Sequence, residues 1–312
     1  MTDCPGVNSQ SAGKESACEG CPNRQDCLSG ESKKSLAERM PEVILKIKNR
    51  MKFVKKRIIV LSGKGGVGKS SMSVLLARYL TTYPINENGS PLNVGLLDLD
   101  ICGPSIPCMT NSIDQTVHTS ADGWQPVMIK DNLSVFSVGF LSDSINKAVI
   151  MRGPKKDTLI KTILQEVEWG NEEEHLDLLL IDTPPGTGDE ILSLVNLLKA
   201  SECLDCAIVV TTPQEVSLAA VRKSIDFCHK IKLPIIGLIE NMSDFICNKC
   251  HKSNAIFAKS IGAKSMLDII ENKKCFFQKI SIDSRITRSL DEGVCPFTEG
   301  IFSDSGDFID FF

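Results

Sequence analysis

The stretch Gly63-Lys-Gly-Gly-Val-Gly-Lys69-Ser70 concentrates residue types that can do chemistry. It fits G-x-x-x-x-G-K-[ST], a loop whose glycines let backbone N–H groups turn inward toward phosphate oxygens. Gly63, Gly65, Gly66, Val67 and Gly68 supply that backbone. Lys69 is placed to reach the β- and γ-phosphates, and the Ser70 hydroxyl to bind Mg²⁺. A helix beginning near Gly68 would aim its positive end at the same anion. The motif matters because an apolar run precedes it and an apolar helical pattern follows. A phosphate-free Gly-rich turn is the lesser reading.

Two acidic strand ends belong to the same chemistry. Leu178-Leu-Leu-Ile-Asp182-Thr-Pro-Pro-Gly-Thr-Gly-Asp189 reads as a buried strand ending in a carboxylate that holds Mg²⁺, usually through water. Leu96-Leu-Asp98-Leu-Asp100 ends another strand, and alternation places both acids on one face. Asp100 is the candidate for orienting or deprotonating the attacking water. For Asp98 a structural hydrogen-bonding role weighs as much as a catalytic one.

Cysteine is the third theme, with 13 in the chain. Cys4, Cys18, Cys21 and Cys27 give C-x13-C-x2-C-x5-C, which suits a [4Fe–4S] cluster or tetrahedral zinc. A single C-x-x-C pair without histidine tilts the spacing slightly toward iron–sulfur. Cys247-Asn-Lys-Cys250 offers two thiols, half of a cluster site that a second chain would complete. A redox dithiol competes with that reading. His251 follows directly and could add a ligand, but an exposed loop histidine is the favoured reading. Cys203-Leu-Asp-Cys206 runs into a buried strand and reads as core thiols. Cys102, Cys108, Cys228, Cys275 and Cys295 receive no role.

The elements that must hold these residues alternate in type. Apolar runs at 57–61, 93–97, 177–181, 207–210 and 234–238 alternate with helical patterns at 69–81, 155–167, 189–200 and 214–231. That order implies an α/β fold: a doubly wound, mostly parallel sheet covered on both faces. Residues 1–33 carry almost no large apolar side chains, so metal would have to order that extension. Residues 34–55 read as an amphipathic linker helix, 56–295 as the sheet domain and 296–312 as a loose acidic tail. The 312 residues carry 42% hydrophobic and 24% charged side chains, with net charge −4, so no global field attracts nucleic acid or an anionic membrane. No run suits a bilayer span or a secretory leader. The expectation is a cytoplasmic protein, with the nucleus as a second compartment.

Lys64 departs from the ordinary phosphate loop, which needs no lysine there. Lys-Gly-Gly-Val-Gly-Lys-Ser resembles the deviant Walker A loop of the MinD/ParA/nitrogenase-iron-protein class. With the cysteine groups, Asp98-Leu-Asp-Ile-Cys-Gly-Pro-Ser-Ile-Pro107, Arg152-Gly-Pro-Lys-Lys156, Asp182-Thr-Pro-Pro-Gly-Thr-Gly-Asp-Glu190, Thr211-Thr-Pro-Gln214 and Glu240-Asn-Met-Ser243, the chain resembles the Mrp/NBP-type P-loop ATPases from residue 4 to about 285. It looks most like the larger eukaryotic scaffold of cytosolic iron–sulfur cluster assembly. Met151 stands where the family usually has Trp, and Gln278-Lys-Ile-Ser-Ile-Asp283 lacks the usual Pro. Both changes concern packing more than chemistry.

That resemblance implies slow ATP hydrolysis with Mg²⁺, and Lys64 reaching a partner's nucleotide. It implies one [4Fe–4S] cluster per N-terminal segment and a labile one bridging two chains at Cys247 and Cys250. Asn241 would contact adenine, or else cap a strand end. Partners would be a smaller paralogous ATPase or a second copy, cluster-targeting proteins and apo iron–sulfur proteins, without nucleic acid or membrane. Two other classes share the loop: a spatial-positioning ATPase like MinD or ParA, and a zinc-binding adaptor with a structural nucleotide.

Overall fold

The computed structural model describes residues 4–298 apart from 7–8, 22–23, 31–33, 86–87, 102, 121, 142–152, 248, 251, 258–261, 271 and 273. Met151, Arg152, Cys102, His251 and the tail beyond 298 therefore lie outside the described residues. In chain order, α1 spans Arg24–Ser29, α2 Leu36–Arg39, α3 Pro41–Met51, β1 Val54–Ser62 and α4 Lys69–Leu80. Then come β2 Val94–Asp98, α5 Ile106–Met109, β3 His118–Thr119, β4 Trp124–Gln125, β5 Val127–Lys130 and β6 Leu133–Ser137. The rest is α6 Gly153–Glu166, β7 Leu176–Asp182, α7 Asp189–Ala200, β8 Cys206–Thr211, α8 Glu215–Lys230, β9 Ile235–Ile246, β10 Ser253–Asn254, β11 Phe276–Ile282 and α9 Ser284–Asp291.

One sheet organises the molecule, in the order β10-β9-β8-β1-β7-β2-β6-β5, with β11 added to β9. β1, β2, β6, β7, β8, β9 and β11 run parallel, while β5 and β10 pair antiparallel. The central strands are near-continuous apolar runs because helices cover both faces. One core, around Ile59, Leu97, Phe136, Leu179, Ile181 and Val209, packs under α3, α6, α7 and α8. The other, around Val60, Leu96, Val135, Leu180 and Val210, packs under α4 and α9. This is the doubly wound α/β fold expected. Such sheets bind ligands at the carboxyl ends of their strands, where βα loops cluster.

The expected helix over 34–55 is broken. Ser35 caps α2 with a capping box to Glu38, Met40 leaves helical geometry, and α3 restarts at Pro41. Proline has no N–H to continue a helix but suits a first turn. Ile44, Ile47 and Met51 then bury on the sheet, and residues 54 and 55 already belong to β1.

Candidate nucleotide site

The carboxyl end of β1 turns through the loop and enters α4. Gly66 and Gly68 adopt left-handed backbone, φ +77° and +85°, which glycine reaches without a Cβ penalty. At Gly63 a Cβ would lie 2.5 Å from the Ala220 carbonyl carbon of α8, so this end of the loop rests on helix backbone. Lys69 is buried while Lys64, Gly65 and Gly66 stand exposed.

Asp182, at the end of β7, is fully buried and gathers the start of α4. Lys69 Nζ donates to its Oδ2 at 2.5 Å and Ser70 Oγ to the same oxygen at 2.6 Å. Ser73 Oγ donates to Oδ1 at 2.6 Å. Sequence reading missed Ser73, yet its helical i+4 spacing from Lys69 was visible. The Ser70 hydroxyl and the Asp182 carboxylate are the hard oxygen donors that Mg²⁺ takes beside a phosphate, so these residues fit the ion. A bound ion would supply positive charge for the phosphate oxygens.

Asp98 lies across from Asp182 in register. It is fully buried, accepting from Ser137 Oγ at 2.9 Å and from the Asp100 backbone N–H at 3.1 Å. Burial, then the nearby Asp182 charge, pushes its carboxyl up to about 7. The expectation of one shared face for Asp98 and Asp100 fails, because β2 ends at Asp98 and alternation ends with it. Asp100 is only half-buried and lines a cleft of about 730 Å³ with Pro184, Pro185, Gly188 and Asp189. Asp98, by contrast, is closed off from solvent.

The Pro/Gly turn after β7 is tied to the loop strand. Thr183 Oγ1 donates to the Val60 carbonyl at 2.8 Å, and the Gly186 N–H to the Ser62 carbonyl at 2.8 Å. Lys156 pairs with Glu190 at 2.9 Å just beyond. Asn241, on β9, is buried and donates from Nδ2 to the Val67 carbonyl at 2.9 Å. It therefore braces the loop itself.

The thiols divide by environment. Cys247 follows β9, half-buried, and Cys250 is exposed. Backbone N–H groups of Cys250, then Lys249, point at the Cys247 sulfur and hold its thiol below the usual range. Backbone donors of the turn thus gather on one sulfur of the C-x-x-C pair. By contrast, burial raises the Cys203 thiol and pushes Cys206 to about 11 and Cys228 to about 12, so these remain protonated core side chains. In the N-terminal segment Cys18 is buried, Cys21 and Cys27 are half-buried and Cys4 is exposed. The Cys21 N–H bonds the Cys18 carbonyl at 3.2 Å, so these two share one turn. The donor chemistry suits iron–sulfur or zinc. Among the described residues, however, no three His, Cys, Asp or Glu side chains converge as a metal site.

A glycine loop, a buried lysine and strand-end aspartates at the carboxyl edge of a parallel sheet define a P-loop NTPase. The family described as ParA, NUBPL iron-transfer P-loop NTPase, matches residues 53–305, and the chain belongs to it. It is thus an ATPase of the P-loop class. A nucleotide-binding protein of Archaeoglobus fulgidus, solved in complex with ADP and containing Co, is 31% identical. The match covers 86% of this chain and 96% of that one, with a TM-score of 0.66. MinD of Aquifex aeolicus, in a MinC:MinD complex, is 15% identical over 81% of this chain and 91% of its own, with a TM-score of 0.51. That likeness is one of fold alone. The four N-terminal cysteines lie outside the residues the family matches.

Proposed function

We propose that this chain is an ATP-dependent scaffold that assembles [4Fe–4S] clusters and passes them to cytosolic and nuclear apo-proteins. The Cys247–Cys250 turn carries the reading. It carries a half-buried thiol and an exposed one just past the strand that also braces the phosphate loop. Two chains, either two copies or this chain with a smaller paralogue, would bring four such thiols to one cluster. Cys4, Cys18, Cys21 and Cys27 would hold a second cluster in each N-terminal segment. Within the nucleotide site, Lys69 neutralises phosphate charge, and Ser70 and Asp182 hold Mg²⁺. Asp100 orients the attacking water, and Lys64 reaches the partner's nucleotide. Turnover is slow because it serves to change affinity for the cargo rather than to make product.

Anaerobic reconstitution with iron and sulfide tests this directly. The expected result is visible absorbance and a reduced-state paramagnetic signal from two cluster types. Cys247→Ala removes one type and spares the other. Lys69→Ala abolishes ATP turnover and slows ATP-dependent delivery to an apo [4Fe–4S] enzyme. Stoichiometric zinc without iron, under the same anaerobic conditions, overturns the proposal.

A further inference from the structure

β9 is unusual in carrying two sites. Its first half lies deep in the sheet between β8 and β11, and there Asn241 touches the phosphate loop. Its second half leaves the core, grows more exposed toward its end at Ile246, and is followed directly by Cys247. Between the halves the strand is jointed. Met242 has φ +55°, a left-handed conformation that costs a non-glycine residue about 1 kcal/mol. The pairing with β11 slips at the same place: Ile280 faces Asn241 but Ile282 faces Phe245. Met242, Ser243 and Asp244 therefore all stand opposite Ser281. A strained residue at a bulge persists only where its surroundings fix it, and such outliers cluster at switching elements.

Asp244 does the fixing. Its Oδ1 accepts from Ser281 Oγ at 2.5 Å and from Ser243 Oγ at 2.8 Å, and its Oδ2 accepts from Ser253 Oγ. One carboxylate thereby ties β9, β10 and β11 together just before the thiols. The Cys247 N–H bonds the Lys252 carbonyl at 3.1 Å, so the turn hangs from the same clasp. At the other end Asn241 sits tightly against the loop. A Cβ on Gly68 would come within 2.3 Å of its Nδ2. Phosphate drawn into the loop engages backbone N–H groups around Val67 and Gly68, the same residues whose carbonyl and Cα Asn241 rests against.

We infer that β9 is a jointed lever that transmits the state of the phosphate loop to the Cys247–Cys250 pair within one chain. Asn241 is the contact, Met242 the joint and Asp244 the clasp; all three are positioning residues. The inference rests on the nucleotide and thiol sites proposed above. Nucleotide entry shifts Asn241, the joint takes up the motion, and the thiol turn changes its exposure. Pairing of two chains is not needed for this step.

Thiol alkylation of the metal-free full chain tests it. Iodoacetamide labelling is followed by peptide mass spectrometry at Cys247 and Cys250, with and without saturating Mg²⁺ and a non-hydrolysable ATP analogue. Binding of the analogue is titrated separately. The wild-type rate should change about fivefold on binding, the lower range of ordinary coupling between sites. The change should be the same on dilution of the protein. Asn241→Leu, measured at its own saturation, and Asp244→Asn should each bring the ratio of the two rates close to one. Met242→Gly relieves the left-handed strain and so folds at least as well. It should soften the joint and reduce the ratio too. A purely structural role would alter the rates in both states together and leave their ratio intact. Bound analogue with unaltered thiols overturns the lever and leaves the nucleotide site standing. So does an effect that vanishes on dilution, or one that survives fully in Asn241→Leu. Absence of binding overturns the nucleotide reading and the lever with it.

Discussion

Three side chains from the first turns of α4, those of Lys69, Ser70 and Ser73, converge on the two oxygens of Asp182. Asp98 faces the same carboxylate across the sheet and receives only two neutral donors. Its carboxyl is therefore raised from 3.8 to about 7 by burial and by Asp182. The folded protein holds that proton more tightly than the unfolded chain does. The contribution is full below about pH 4 and is lost as pH rises through 7. A shift of this size corresponds to roughly 4 kcal/mol between those limits. Asp98→Asn removes the titrating group while keeping an acceptor for one of its donors. Urea unfolding of the nucleotide-free chain from pH 4 to pH 8 should show wild-type stability declining and the variant's curve flatter. Parallel curves would show that Asp98 is not the titrating group. The signal for two buried acids was legible, since both end apolar runs. Their unequal partners were not, because Ser137 reaches Asp98 from a strand that the periodicity did not announce.

The elements that position the loop were mostly readable. Apolar runs marked β1, β2, β7, β8 and the first half of β9, and α7 begins and ends where the pattern placed it. β6 and β11 went unread for physical reasons. Leu133-Ser-Val-Phe-Ser137 is buried throughout, but its serines break the apolar signal, and Ser137 meets its partner Asp98 only in the folded sheet. β11 alternates weakly and gains its strand character by pairing with β9. The Asn241–Val67 bond joins residues remote in sequence, so no local pattern forecasts it. Gly68 shows how tightly these elements meet. Its φ of +85° disfavours any Cβ by about 1–2 kcal/mol, and that Cβ would also displace Asn241. Gly68→Ala should weaken nucleotide binding about tenfold, a loss of about 1.4 kcal/mol. The far-ultraviolet dichroism should be retained, because the sheet cores do not include this residue. Calorimetric titration decides it; an unaltered affinity would mean that the turn can relax around a methyl group.

At the scale of the molecule, the carboxyl edge of the sheet collects exposed groups of two kinds, a loop cation and large apolar side chains. Lys64 stands out from the loop. Val216 and Leu192, in the first turns of α8 and α7, are 67% and 43% exposed. Phe245 and Ile282, paired neighbours on β9 and β11, are 43% and 39% exposed beside the thiol turn. Apolar side chains gathered at one edge, next to the Cys247 and Cys250 thiols, fit a face that meets a second chain. Burying each large side chain would contribute about 1.5–3 kcal/mol. Replacing both Phe245 and Ile282 by serine should therefore weaken ATP-dependent pairing on the order of 100-fold. Neither side chain touches the phosphate loop, so ATP binding to the separate chain should persist. Lys64→Ala should also reduce pairing, but only in the presence of nucleotide, because the target proposed for it is the partner's phosphate rather than its surface. Sedimentation velocity with and without the ATP analogue separates the two effects. If the serine variant pairs as tightly as wild type, the chains meet elsewhere, and the Cys247 and Cys250 thiols do not face their counterparts.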